Sequence, residues 1–297
     1  MSLRVLVTGA SSRLGKAVGS LLRQLGYHAV GTVRIAQKGV VLPSFEKLVF
    51  LDLEDISSLN SLEGDFDAVI HIASVSSGTA QHLITVNGLG TARLVEWAAS
   101  HKISRFVHVS TMAVYGNVTE PLVTSQTEVA HMNNYGLSKW SAECSLRDIS
   151  DQISCVSVRS CAIVGESTGY HFLALVLRRM LAQEPIIRVS NPTFLSNNLV
   201  HEDTLSEFLV HLARFHKPRF AAVPIGSSHP MELSEIITQM SRATGYRGEI
   251  EWVASLNTPF GISTADAEGL GFQPLPMQIV INRWLRDALG TDTSLSS

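Results

Sequence analysis

The sequence has few cysteines, little excess charge and no long apolar run, and each shortage excludes a class of protein. Cys144, Cys155 and Cys161 are the only cysteines and form no C-x-x-C pair, so neither a disulfide framework nor a zinc site is predicted. The formal net charge of -3 gives no electrostatic reason to expect nucleic acid or an anionic membrane as a partner. The most apolar stretch, residues 172–181, contains two arginines and is too short to span a bilayer.

The amino terminus also lacks the features of a signal peptide, because the apolar run Val5–Val7 is interrupted at once by Thr8 and Gly9. Together with the reduced thiols expected of so few cysteines, this predicts a cytoplasmic protein. Hydrophobic residues make up 45% of the chain and charged residues 16%, which is typical of a globular fold. A length of 297 residues accommodates one large α/β domain, or a nucleotide domain with a smaller lobe.

Short apolar runs alternate with segments of helical period through the first half of the chain. The alternation predicts a parallel sheet with helices on both faces. The predicted strands are Arg4–Val7, His28–Val33, Lys47–Leu51, Ala68–Ile72, Arg105–Ser110 and Cys155–Arg159, with helices at Leu14–Leu25, Ala80–Ser100 and Ala130–Ser150. The predicted fold class is therefore α/β, a doubly wound parallel sheet with a smaller α/β C-terminal substrate lobe.

Beyond Gly165 the alternation changes, which indicates a second lobe interleaved with the end of the first. We predict a nucleotide-binding domain over 1–164 with a return segment near 198–226, a smaller lobe over 165–197 and 227–290, and a frayed tail over 291–297. The second half is predicted to hold helices at Phe172–Gln183, Asp203–Phe215, Leu233–Thr244 and Met277–Leu289, with strands at Phe220–Ile225 and Glu249–Val253.

The first predicted strand runs through a glycine turn directly into a helix. The turn reads Thr8-Gly9-Ala10-Ser11-Ser12-Arg13-Leu14-Gly15. Such a turn presents backbone N–H groups and a helix N-terminus to a pyrophosphate. Gly9 permits the tight turn and Gly15 lets the helix pack closely, whereas Ser12 replaces the middle glycine of a G-x-x-G-x-x-G pattern. An ordinary glycine turn is the alternative, but its position as the first βα connection favours a dinucleotide site.

The residue expected to read the ribose is basic. About twenty residues after the last glycine, where an acid usually holds the ribose hydroxyls, the chain has Arg34, and Arg13 and Lys38 lie near it in sequence. An arginine can bind a 2′-phosphate through two N–H groups. NADP(H) is therefore the preferred cofactor. The alternative is NAD(H), with Arg34 as a solvated residue at the strand end.

Two segments supply candidate catalytic groups. One predicted strand ends in Ser110 and Thr111, and a helical segment carries Tyr135 and Lys139 four residues apart, on one helix face. There the ammonium can lower the phenol pKa by stabilising phenolate. The Thr111 hydroxyl can hold a substrate oxygen while Tyr135 gives or takes its proton. A chance surface pair is the alternative, but the pair follows a strand ending in hydroxyls on a dinucleotide-type scaffold.

These segments resemble the extended short-chain dehydrogenase/reductase superfamily, specifically its NAD(P)-dependent epimerase/dehydratase family, which has a Rossmann-type sheet. Besides the T-G-x-x-x-x-L-G loop and Y-x-x-x-K, the resemblance rests on Asp52-Leu53, His71-Ile72-Ala73-Ser74 and Val86-Asn87-Gly88-Leu89-Gly90-Thr91. It implies that Thr111, rather than Ser110, is the catalytic hydroxyl. The cofactor contacts that it implies are Asp52 and Leu53 at the adenine, with Ala73, Ser74, Asn87, Tyr135 and Lys139. It also implies a homodimer formed through the helices near 80–100 and 130–150.

The chain departs from this family at several positions. Met112 and Ala113 replace the Asp-Glu pair with which sugar-nucleotide 4,6-dehydratases eliminate water, so dehydration by that route is not expected. Asn197 replaces an arginine that often holds the nucleotide diphosphate, and we considered Arg188 and Arg219 as substitutes for it.

The function predicted from the sequence is an NAD(P)-dependent oxidoreductase or epimerase. Hydride transfer would take place at a carbonyl or alcohol carbon of a small polar substrate, with sugars and nucleotide sugars among the candidates. The alternative is a non-catalytic NADP(H)-binding redox sensor, against which Tyr135 and Lys139 argue. The eleven histidines form no metal-binding motif, so no metal is expected.

Overall fold

The computed structural model describes residues 2–34, 42–166, 169, 171–215, 219–254 and 259–290. Lys38 and the predicted tail 291–297 lie outside the described residues.

Strands and helices alternate along the described chain. The strands are β1 (Arg4–Thr8), β2 (His28–Val33), β3 (Lys47–Phe50), β4 (Ala68–His71), β5 (Arg105–Thr111), β6 (Leu122–Val123), β7 (Ser154–Ser160), β8 (Ala162–Val164), β9 (Ile186–Ser190), β10 (Leu195–Ser196), β11 (Leu199–His201), β12 (Phe220–Ile225), β13 (Met231–Glu232), β14 (Glu249–Val253) and β15 (Gly261–Ile262). The helices are α1 (Arg13–Gln24), α2 (Ala80–Leu83), α3 (Gly90–Ser100), α4 (Asn134–Asp148), α5 (Phe172–Leu181), α6 (Glu202–Arg214), α7 (Leu233–Thr244), α8 (Ala265–Gly269) and α9 (Met277–Leu289). A π-helical turn, Ile84–Leu89, joins α2 to α3, and 3₁₀ turns lie at Ile56–Ser61 and Met112–Tyr115.

The main sheet has seven parallel strands in the order β12-β7-β5-β4-β1-β2-β3. From β1 the chain adds β2 and β3 on one side and then returns to add β4, β5, β7 and β12 on the other. The order of strands therefore reverses between β1 and β4, and in open α/β sheets ligands bind at the carboxyl ends of the strands at such a point. The predicted fold class, an α/β doubly wound parallel sheet, is confirmed.

The central strand is buried on both faces. Val5, Leu6 and Val7 have no exposed surface. Val5 and Val7 pack into the core that α1 and α6 cover, whereas Leu6 packs into the core beneath α3 and α4. This two-sided burial is the reason that the strand sequences are nearly continuous apolar runs.

A third hydrophobic core lies away from the main sheet, around the fully buried Trp284. Its residues come from 162–199 and 231–288. Ala267 and Phe272 instead pack into the core that α1 and α6 cover, so part of the segment 227–290 belongs with the large sheet. The domain boundaries given above stay a prediction.

The helix that carries Tyr135 begins four residues later than predicted, at Asn134 rather than Ala130. Asn133 caps it, because its Oδ1 accepts a hydrogen bond from the Gly136 amide at 2.8 Å. Ala130 instead forms a β-bridge with Gly116. The residues before the cap therefore lie against Gly116, just beyond the 3₁₀ turn that follows β5.

Candidate active site

A cleft of about 900 Å³ opens at the carboxyl ends of β1, β2, β4, β5 and β7. The predicted site residues that line it are Gly9, Ser11, Ser12, Arg13, Leu14, Arg34, Asp52, Leu53, Ala73, Ser74, Thr111 and Tyr135. Residues predicted to bind a dinucleotide and residues predicted to transfer a proton therefore face one cavity. Gly15, Asn87 and Lys139 do not line it.

The glycine turn is shaped to receive an anionic group. Gly9 has a φ of +72°, and a Cβ there would lie 2.9 Å from the Ala73 amide nitrogen, so only glycine fits the turn. A Cβ on Gly15 would lie 2.2 Å from the Gly9 carbonyl oxygen, which fixes α1 against the sheet. Ser12 caps α1 by accepting a hydrogen bond from the Gly15 amide at 3.0 Å. The positive end of the α1 dipole thus faces the cleft, as pyrophosphate binding requires.

At the side of the cleft formed by β2, the exposed Arg34 lies beside Thr32 and Val33, with Asp52 and Leu53 across from them. The Asp52 carboxylate is engaged locally, since it accepts a hydrogen bond from the Glu54 amide at 3.0 Å. This wall combines the apolar side chains of Val33 and Leu53 with one cation, Arg34, and one carboxylate, Asp52.

Thr111 and Tyr135 both line the cleft. The Thr111 Oγ1 accepts a hydrogen bond from the Ala113 amide at 3.2 Å, which leaves its O–H to donate. Burial raises the pKa of Tyr135, and a hydrogen bond with Ser74 opposes that rise. The phenol is therefore protonated at neutral pH and can act as a donor. The lowering of its pKa by Lys139 stays a prediction.

Lys139 lies one helical turn beyond Tyr135 and is only 1% exposed. Burial lowers the pKa of its ammonium to about 7, and Glu143 acts in the opposite direction. Burial therefore disfavours the charged form of this lysine.

Asn87 supports the cleft from behind. It is fully buried, its Nδ2 donates to the Val75 carbonyl at 2.8 Å and to the Ser138 Oγ at 2.9 Å, and its Oδ1 accepts from the Val75 amide at 2.9 Å. The side chain thereby fastens the loop after β4, which contains Ala73 and Ser74, to α4. In this structure Asn87 positions the wall of the cleft.

Several groups at the cleft were not predicted as site residues. Ser160, Cys161, Ile163 and His171 line its floor and rim. Glu202, predicted only as the start of a helix, does begin α6, but its carboxylate also pairs with Arg13, whose Nη2 donates to the Ile163 carbonyl at 3.3 Å. No spacing rule connects residues so far apart in sequence, so this link could be found only from the structure.

The two arginines proposed as substitutes for the missing one lie outside the described cleft. Arg219 precedes β12 at the amino end of the sheet, where it pairs with Asp151. Arg188 pairs with Glu251 across β9 and β14. Neither lines the described cleft. Asn197 itself is buried and bonds the backbone of Ser227 and Ile262, so it joins loops.

Two further classes of site are not found in the part of the chain that the structure describes. No three His, Cys, Asp or Glu side chains there lie close enough together to hold a metal ion. None of the described helices combines the length and the apolar character that crossing a membrane would need.

Two proteins with similar sequences match about half of this chain. UDP-arabinose 4-epimerase 1 of Arabidopsis thaliana is 30% identical over 166 residues, 49% of this chain and 39% of its own length. A dTDP-glucose 4,6-dehydratase of Streptomyces niveus is 28% identical over 155 residues, 46% of each chain. These matches cover less than half of the relatives' own length.

Among solved structures, the UDP-Glc/GlcNAc 4-epimerase of Campylobacter jejuni has the same fold, with a TM-score of 0.80 and 17% identity over 98% of this chain and all of its own. The model of the NAD dependent epimerase/dehydratase family matches residues 5–213, which include the glycine turn, Thr111, Tyr135 and Lys139. The chain therefore belongs to the NAD dependent epimerase/dehydratase family.

Proposed function

We propose that the protein is an NAD(P)-dependent oxidoreductase or epimerase that acts on an alcohol or carbonyl carbon of a small polar substrate. The observation that carries the proposal is the shared cleft: the glycine turn with the α1 N-terminus and the Thr111–Tyr135 pair line the same cavity. A protein that only bound a dinucleotide would have no need of a proton donor beside it.

The side chains suit the following roles. The α1 N-terminus and the turn around Gly9 would hold the pyrophosphate, and the nicotinamide, when bound, supplies hydride chemistry. Thr111 would donate a hydrogen bond to the substrate oxygen, and Tyr135 would transfer the proton of that oxygen. The ammonium of Lys139 would stabilise the phenolate form of Tyr135.

The preferred cofactor is NADP(H), because Arg34 lies in the cleft wall at the position where an acid usually holds the ribose hydroxyls. NAD(H) remains the alternative, as in the family name. Both relatives are named for nucleotide-sugar substrates, which supports a sugar or nucleotide sugar as the substrate of this protein. Met112 and Ala113 cannot transfer protons, so an epimerase or a reductase fits better than a dehydratase. The homodimer implied by the resemblance stays a prediction.

The first experiment identifies the nucleotide. The protein is purified without added cofactor and denatured, any released nucleotide is identified, and the emptied protein is titrated with NADPH and with NADH. We expect tighter binding of NADPH, and we expect Arg34→Ala to weaken NADPH binding by about 10- to 100-fold while hardly changing NADH binding. Stoichiometric release of NAD would overturn the NADP(H) preference and would favour an epimerase in which the cofactor never leaves.

A further inference from the structure

Three ionisable residues of α4 form a row that leads from the cleft into the interior of the protein. Tyr135, Lys139 and Glu143 are spaced four residues apart, which puts them on one face of the helix. Along this row the side chains become progressively more buried. Tyr135 is partly exposed at the cleft, Lys139 is 1% exposed, and Glu143 has no exposed surface. A glutamate is almost never so deeply buried unless it is paired.

Glu143 is held by two neighbouring strands. Its Oε1 accepts a hydrogen bond from the Ser110 Oγ at 2.5 Å, and its Oε2 accepts one from the Arg159 Nη2 at 2.7 Å. The Arg159 Nη1 donates in turn to the Tyr115 hydroxyl at 2.9 Å. Ser110 comes directly before Thr111 at the end of β5, so the carboxylate fixes the strand residue next to the predicted catalytic hydroxyl.

Lys139 has no such partner. It forms no ion pair with a carboxylate of the described residues. The groups that face it are His71 on β4 and His108 on β5, both fully buried, with Glu143 on its own helix. Burial lowers the pKa of both histidines, and the charge of Lys139 lowers it further, so the two rings are neutral. The guanidinium of Arg159 is paired with Glu143.

The charge of Glu143 thus acts on a lysine whose charged form burial disfavours. The pKa of Lys139 lies at about 7 even though Glu143 raises it. The protonated fraction of a group changes most steeply at its midpoint, so a modest change in the local field changes the charge of Lys139 strongly.

We propose that Glu143 is a positioning residue with two separable effects: its charge keeps Lys139 protonated, and its hydrogen bond to Ser110 fixes the strand end that carries Thr111. The inference builds on the proposed function, in which Lys139 supports Tyr135. The charge effect itself is a property of the folded protein and needs no substrate.

The test separates charge from hydrogen bond. Glu143→Gln keeps the shape and removes the charge, whereas Ser110→Ala keeps the charge and removes the hydrogen bond. Asp148→Asn changes an exposed carboxylate on the same helix and serves as the control. The sequence has six lysines, so ¹³Cε-lysine labelling with a Lys139→Met spectrum for assignment resolves the titration of Lys139 by NMR.

We expect Glu143→Gln to lower the titration midpoint of Lys139 by about one pH unit or more, and the other two variants to leave it within a few tenths. An unchanged midpoint in folded Glu143→Gln protein would overturn the charge effect. If that variant does not fold, the double variant Glu143→Gln/Arg159→Gln is compared with Arg159→Gln alone. Both lack the guanidinium, so the difference between their Lys139 midpoints isolates the charge of Glu143 and should have the same sign.

A second readout addresses turnover. Where turnover is measured, Glu143→Gln should move the alkaline limb of the kcat pH profile to lower pH by the same shift, and Ser110→Ala should lower kcat at every pH without moving the limb. A Ser110→Ala variant with unchanged kcat would overturn the positioning effect. Absence of turnover in the wild type would refute the proposed function, but the NMR midpoints would still decide the charge effect.

Discussion

Two tyrosines near the end of β5 have opposite surroundings. Tyr135 lies in the wall of the cleft, where it forms a hydrogen bond with Ser74. Tyr115 is 2% exposed; its hydroxyl accepts a hydrogen bond from Arg159 and donates one to the Thr124 carbonyl at 2.9 Å. The chain therefore offers a matched pair of hydroxyls, of which one faces the cavity and the other holds the fold together.

Removing each hydroxyl should affect a different property. Tyr135→Phe should reduce turnover by about 10²- to 10⁴-fold, because a positioned proton donor contributes that much, and should leave the Kd of the cofactor within about twofold. Tyr115→Phe should instead lower the free energy of unfolding by about 1–3 kcal/mol, since buried partners lose a hydrogen bond. Steady-state kinetics, cofactor titration and urea unfolding are measured for both. Equal loss of turnover and cofactor binding in Tyr135→Phe would contradict its assigned role.

At the scale of elements, the segment predicted as one helix, Ala80–Ser100, is α2 and α3 joined by a π-helical turn. The turn contains Asn87 and lies where its side chain reaches the backbone of Val75. π-turns inside helices are rare and often occur at functional sites. Here the turn sets the position of the loop that forms one wall of the cleft.

Asn87→Ala should release that loop. The Val75 N–H and C=O would lose their partners, so we expect the free energy of unfolding to fall by about 1–3 kcal/mol for each group left buried, and cofactor binding to weaken as well. Urea unfolding and a cofactor titration check both effects. Asn60→Ala, at an exposed asparagine, is the control and should behave as wild type. Full stability of Asn87→Ala would show that the loop holds its position without this side chain.

The sequence predicts some of these elements better than others. The strands of the main sheet were found from the sequence within a residue or two, because burial on both faces leaves a continuous apolar run. Twelve predicted site residues line the cleft for a related reason: the ends of parallel strands converge at one edge. The π-turn, the late start of α4 and the link between Arg13 and Glu202 were not foreseen, since each depends on contacts between distant segments and not on a local pattern.

At the scale of the whole molecule, burial keeps several histidines neutral. Burial, together with the charge of Lys139, lowers the pKa of His71 to about 3 and that of His108 well below its usual range. Burial, with Arg13 and Arg178, lowers the pKa of His171 to about 4. His201 behaves differently. Burial opposes its charge, but hydrogen bonds with Asp203 and Asp287 outweigh that effect and raise its pKa.

These shifts predict loss of stability in mild acid. His71, His108 and His171 bind a proton in the unfolded chain below about pH 6.5 but not in the folded one, so the free energy of unfolding should fall by about 1.4 kcal/mol per pH unit for each. The stabilisation is complete above pH 6.5 and is lost as the pH falls towards the folded values. The contribution of His201, whose folded pKa is raised, is present below pH 6.5 and is lost only as the pH rises, so it does not offset this loss.

Urea unfolding at pH 7, 6 and 5 measures the slope. His71→Gln should make the slope shallower by about the share of one histidine, and His131→Gln, at an exposed histidine, is the control. A free energy of unfolding that stays constant from pH 7 to pH 5 would contradict the predicted protonation states of the buried rings.

The order of strands in the sheet also bears on how the chain is made. β5 lies between β4 and β7, and β7 ends only at Ser160, about fifty residues after Thr111. A nascent chain that has emerged only as far as β5 presents an unpaired edge strand whose Phe106 and Val107 are buried in the finished protein. At about 5–20 residues per second that edge stays open for roughly 2–10 s, and during this interval pairing with a neighbouring chain competes with the arrival of β7.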